Sequence, residues 1–216
     1  MRNECTSVLI AALALGGCGP QTLTLPADPI EQAATCGVVS AAAAREAGGD
    51  IAKPLSIEAS GRILHHALLA ASAGPSFESD KAAAVVERMA ALGDSVTGGK
   101  WQALVAPCNA AFPITVSTAA PTLPVDTLDA QLGCTALGGW LSKALASQDE
   151  AYGTQLLAYR QLGTSLEPRV DRALSGRGIA SDDARKAARD KALAAIAKSG
   201  SPVRVMTACE AKYGTS

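Results

Sequence analysis

The apolar positions of this chain recur at helical spacing over most of its length. Ile63, Leu64, Ala67, Leu68 and Ala71 fall along one side of a helix, as do Val85, Met89 and Leu92 and, further on, Leu156, Tyr159, Gly163 and Leu166. β-Branched residues alternating with polar ones, the mark of a half-buried strand, do not occur over any useful length. Caps and breakers then divide the helical pattern. In the N-terminal part residues 36–47 read as a helix, Ser56 caps a second that runs to Ala73, Ser76 caps a third, and a fourth begins near Gly99. In the C-terminal part residues 132–146 precede Ser147-Gln148-Asp149-Glu150, which has the form of a capping box. Ser181 with Asp182 and Asp183 opens another helix with acids at its positive end. Ser201-Pro202 opens the last, with proline at its preferred first position. Residues 167–178 are an extra piece, expected as a short helix or loop. The predicted fold class is all-α.

The pattern also repeats. Leu104 and Val105 lie four and three residues before Cys108 and Phe112 four after it; Val205, Met206 and Tyr213 stand in the same places around Cys209. These offsets share one helical face. An acid precedes each of Cys36 and Cys134 by five residues, as Glu31 and Asp129. The expectation is a tandem repeat of two helical bundles of about four helices each.

The N-terminus has a different character. Arg2 and the amino group bring positive charge against the single acid Glu4, Val8 to Leu15 form an apolar run, and small residues follow. That run is too short to span a bilayer, which takes about 20 apolar residues in a helix. Leu15-Gly16-Gly17-Cys18 resembles the lipobox of bacterial lipoproteins. The resemblance implies a signal peptide over residues 1–17 and diacylglycerol on the Cys18 thiol, so that the mature chain is membrane-anchored without crossing the membrane. Each buried methylene of an acyl chain contributes about 0.8 kcal/mol, and two or three chains hold a protein stably. Gly19, which is not Asp, implies sorting to the outer membrane, with the body facing the periplasm.

Cys5 leaves with such a signal and lipid occupies Cys18, so Cys36, Cys108, Cys134 and Cys209 enter an oxidising compartment. Of the three possible pairings, Cys36–Cys108 and Cys134–Cys209 give nearly equal loops, with separations of 72 and 75 residues. Each bond would tie the start of a bundle to its end. The plan is then a Pro-rich tether (18–30), a first bundle (31–112), a Pro-rich linker (113–128) and a second bundle (129–216). The competing plan is one merged eight-helix domain with Ile114-Thr115-Val116 packed across both parts.

Charge and candidate chemistry add little. Lys and Arg total 19 against 20 for Asp and Glu, so no global field favours nucleic acid as a partner. His65 and His66 are the only histidines, and as helix neighbours they point about 100° apart, which does not suit one metal ion. They are expected on a partly exposed face, with Glu58 and Arg62 as a surface pair. No catalytic constellation, metal-ligand set or cofactor motif appears in the sequence. Between residues 160 and 198 nine basic residues stand against five acids. Arg169, Arg172, Arg177, Arg185 and Arg189 are the candidate face for an anionic partner, although interleaved signs more often mark a solvated surface. Two function classes remain: an envelope lipoprotein that holds another envelope protein, or a carrier for an apolar or anionic lipid-like ligand. Alanine-rich faces leave little internal volume for the second.

Overall fold

The structure is a computed structural model and describes residues 23–49 and 53–214. Among these residues it is all-helical. The α-helices are α1 (Pro29–Gly48), α2 (Ile57–Ala71), α3 (Ser79–Thr97), α4 (Val105–Ala111), α5 (Thr127–Ala144), α6 (Asp149–Gly176), α7 (Asp182–Ile196) and α8 (Pro202–Tyr213). Short 3-10 turns lie at Trp101–Leu104, Pro113–Val116 and Ala146–Gln148. The signal segment, Cys5 and Cys18 lie outside the described residues.

The first helix of each half starts earlier than the apolar pattern suggests, and for the same reason. Asp28 accepts hydrogen bonds from the Ile30 and Glu31 amides, with Pro29 at the first helical position. Asp126 accepts from the Asp129 amide and opens α5. An aspartate cap is worth about 1 kcal/mol. Ser56 and Ser181 cap α2 and α7 as expected, through the amides of Ala59 and Ala184.

Three boundaries differ from expectation. Ser76 does not cap α3, which begins after Glu78 without a side-chain cap. The chain is held across the molecule there instead, by the Phe77 amide on Asp190 O (3.0 Å) and the Glu78 amide on Ala71 O (3.0 Å). Ser147 forms no capping box, because the 3-10 turn Ala146–Gln148 takes it up and α6 starts at Asp149. Residues 167–176 are neither a loop nor a separate helix: α6 runs straight through Pro168. Proline in a helix interior costs about 3 kcal/mol. Beyond it, Val170 and Leu174 are buried against Leu128, Leu132 and Ala192, and full burial of two such side chains returns roughly that amount.

Cys36 is bonded to Cys108 and Cys134 to Cys209. α1 packs on α2 and α3, and α5 packs on α6, α7 and α8. Helix α2 belongs to both groups. One side meets α1 and α3 through Ala67 and Ala70, and the other meets α7 and α8. Gly61 allows that second approach, since a Cβ there would lie 2.6 Å from Val203 Cγ2. The largest apolar cluster accordingly spans the halves, joining Ile57, Leu68 and Phe77 to Leu137, Leu156, Ile196 and Met206. A smaller cluster of Cys36, Val38, Val96, Trp101, Leu104 and Cys108 closes the outer side of α1 and α3. The segment joining the halves is fastened down: Thr115 is buried, the Thr122 amide donates to Ser199 O (3.3 Å), and Leu123 packs on the large cluster. At the N-terminal side, Leu23 and Leu25 also pack on the body, so the stretch read as a tether is fastened to it from Leu23 onward.

The histidines are not on an exposed face. His65 and His66 are both buried, at 0% and 1% exposure. They sit on adjacent faces of α2, and each face is covered, one by α7 and the other by α1. Glu58 and Arg62, expected as a pair, form no ion pair with each other among the described residues.

Candidate interaction site

Where α2, α3 and α5 meet, their side chains leave an open apolar groove of about 440 Å³. Leu64 comes from the edge of α2, one turn before the buried Leu68. Phe77 comes from the segment that crosses to α3, Ala82, Ala83 and Val86 from α3, and Trp140 and Ala144 from α5. The phenyl ring of Phe77 meets the Trp140 indole edge to face at 6.5 Å. Val85 is fully buried, while Val86, about 100° further round α3, is 42% exposed. Ala82 is the one buried alanine of its lining, while Ser79, Glu87 and Lys143 add exposed polar side chains. Through Leu64 and Ala144 the groove continues into a second hollow of about 400 Å³, lined by Leu55, Ser60 and Ile63 with Arg45 and Lys53 at its edge. Such a surface can take apolar side chains or an aliphatic chain, with charge on either flank.

Sequence reasoning missed this groove. Gly138, two residues before Trp140 on α5, is a close-packing point against Tyr159 and Met206. The adjacent Val85-Val86 was the available signal, since a helix covered on one side only leaves the second of two such neighbours exposed.

The arginine face on α6 and α7 is largely engaged. Arg177 pairs with Asp126 (2.8 Å), and Arg185 reaches Asp171 (2.7 Å) and the Ser175 hydroxyl (3.0 Å). Arg189 lies 3.8 Å from Glu167 and 3.9 Å from Asp171. Arg169 and Arg172 are exposed and form no ion pair among the described residues. The structure thus gathers three of the five arginines into a mixed network on Asp171, Glu167 and Asp126, and leaves two outside it.

The buried histidines form cross-links between elements. The carbonyl of Ala197 can only accept, so His65 Nε2–H donates to it (2.8 Å), tying α2 to the end of α7. His66 Nε2 meets the Ser40 hydroxyl of α1 at 2.9 Å, and its ring stands edge-on to Phe112 at 4.9 Å. Neither Nδ1 has a partner. Burial holds both rings neutral, lowering His65 to about 4 and His66 to about 3, with His65 and Arg62 adding to the effect at His66.

On the far side, α6 and α8 flank a shallow hollow of about 460 Å³ containing Gln161, Ser165 and Glu210. Burial raises the Glu210 carboxyl above its ordinary value. Burial, with Glu210 and Glu58 nearby, pushes the Tyr159 phenol up to about 12. Among the described residues no group of three His, Cys, Asp or Glu side chains is placed to hold a metal ion, and no helix is long and apolar enough to cross a membrane. No protein-family model, no curated protein and no solved structure matches this chain.

Proposed function

We propose that this protein is a lipid-anchored module of the cell envelope that holds another envelope protein in the groove between α2, α3 and α5. In this reading residues 1–17 are a signal peptide, Cys18 carries the acyl chains, and the body faces the periplasm from the outer membrane. The observation that carries the interaction role is the concave apolar surface around Val86, Phe77 and Trp140. Interface cores are enriched in aromatic anchors seated among apolar neighbours. A rigid frame supports it, because a disulfide closes each half.

We read the halves as two copies of one plan, 31–112 and 129–216, joined by 113–128. Asp28 and Asp126 cap the first helices, and Cys36 and Cys134 are each the eighth residue of theirs. Beside each cysteine a glycine, Gly37 or Gly133, lets the third helix approach, with Met89 or Ile196 filling the space of a Cβ.

The alternative reading, a carrier for an anionic lipid-like ligand, draws on the adjoining hollow, where Arg45 and Lys53 flank apolar walls. A photo-reactive residue at Val86 in living cells separates the two. Cross-links to a discrete protein support the module, cross-links to lipid alone support the carrier, and the absence of either removes the groove from both. The anchor is checked by mass: Cys18→Ser should yield an unacylated chain that leaves the membrane fraction, and a native mature chain without acyl mass would end the lipoprotein reading.

A further inference from the structure

The folded body takes hold of the chain very early. Leu23 and Leu25 pack against the cluster of Cys36, Val38, Val96, Trp101, Leu104 and Cys108. Gln32 Nε2 donates to Pro26 O (3.1 Å), and Asp28 caps α1. All of these contacts are made with the α1–α3 side of the molecule. The second half packs through the other face of α2, by way of Gly61 against Val203 and His65 against Ala197. The chain therefore enters the fold on the side turned away from α5–α8.

Covalent geometry limits what this allows. If Cys18 bears the lipid, five peptide steps separate its Cα from that of Leu23, a span of at most ~18 Å at 3.3–3.6 Å per residue. Helix α6, with 28 residues, is by itself about 42 Å long at 1.5 Å per residue. A leash less than half the length of one helix cannot let the body turn over. A free tether through residue 30 would have more than doubled the reach.

From this we infer that the protein lies with its α1–α3 side against the lipid headgroups of its anchoring membrane and holds α5–α8 away from the bilayer. The inference rests on the lipid-anchor reading and adds an orientation to it. The surface around the entry point, Thr24, Asp28, Asp94, Ser95, Thr97 and Lys100, is exposed and offers hydroxyls with two acids and one base. It has no basic excess, so the apposition comes from the leash and not from attraction to anionic lipid, and it is insensitive to salt. The arginines of α6 and α7 belong to the half held away, facing whatever lies across the periplasmic space.

The test uses the full acylated chain in phosphatidylcholine vesicles, with its acyl mass measured first. Nitroxides are placed on the exposed positions Thr97→Cys in α3 and Ala187→Cys in α7, and relaxed by a paramagnetic nickel chelate carried on lipid headgroups. Relaxation at position 97 should exceed that at 187 several-fold, equally in low and high salt. Inserting a twelve-residue Gly-Ser segment between residues 21 and 22 should abolish the difference while leaving the fold intact. Equal relaxation at both sites in acylated protein overturns the orientation alone. Missing acyl mass overturns the anchor, and the orientation with it. A difference that vanishes in high salt, or that survives the insertion, shows a surface held by its own affinity and also rejects the leash.

Discussion

Two neighbouring side chains, His65 and His66, carry opposite duties on one helix. One donates to the end of α7 and the other meets α1, so together they bridge α2 to a neighbour on each side. Sequence alone suggested an exposed pair because histidines one residue apart suit no metal. It could not show that α2 is covered on two sides. Their burial has a consequence with a definite sign. Both folded-state values lie below the 6.5 of a free histidine, so the unfolded chain binds more protons at mildly acidic pH. Stability is therefore fully present above pH 6.5, falls as the pH drops below it, and levels off only near 3 to 4. By pH 5 the loss should be roughly 2 kcal/mol per histidine, at 1.36 kcal/mol per pH unit. Denaturant midpoints at pH 7 and pH 5 check this. A His66→Phe variant should lose about half of the acid sensitivity, and an unchanged pH profile in that variant would show that other groups carry it. Gly61 gives a second expectation at this scale. Gly61→Ala should destabilise by about 1–3 kcal/mol through overpacking against Val203, and Val203→Ala should reduce the additional cost of the alanine. Equal costs for Gly61→Ala in both backgrounds would show that the two residues do not press on each other.

Among the elements, the sequence was most readable where the signal is local. Ser56, Ser181 and Pro202 mark helix starts that the structure shares, because caps and first-turn prolines act within a few residues. Cysteine spacing was readable because equal loops imply equal closures. Boundaries set by distant partners were not. The chain before α3 is fixed by Asp190, more than a hundred residues away, and no cap pattern at Ser76 encodes that. Pro168 misled for a related reason: its local cost is visible in sequence, whereas the burial of Val170 and Leu174 that offsets it depends on α5 and α7. The proline removes one amide from the helix ladder, leaving the Thr164 carbonyl without its usual donor. Pro168→Ala should restore that bond and raise stability by up to ~3 kcal/mol, read as a higher melting temperature with helix content unchanged. A lower melting temperature would mean that the ring fixes a bend on which Val170 and Leu174 depend for their packing.

For the whole molecule the decisive element is α2, since the largest core cluster cannot be divided without opening it. The groove proposed for a partner lies along this same seam, so partner capture and the docking of the halves draw on shared residues, Leu64 and Phe77 among them. The sequence left a merged eight-helix domain open as the competing plan, but its recurring cysteine spacing and the prolines between 113 and 126 did not show that α2 forms the seam. Those features describe each half by itself, while the seam depends on how the halves meet. Disulfides and core then make separable demands on one experiment. Cleavage within residues 117–120, an exposed or half-exposed stretch of the connecting segment, breaks no disulfide. In native buffer the two fragments should stay together and elute at the volume of the intact chain, because the apolar cluster and the bonds from Ser60 to Tyr152 and His65 to Ala197 still join them. In concentrated urea without reductant they should separate, each with its own internal bond. Fragments that part already in native buffer would mean that the seam contributes little and the halves are independent bundles. Fragments that remain joined in urea until reductant is added would mean that the cysteines pair across the halves. With the chain intact, the shared core calls for one cooperative unfolding transition, seen alike by far-UV circular dichroism and by the fluorescence of Trp101 and Trp140, one in each half.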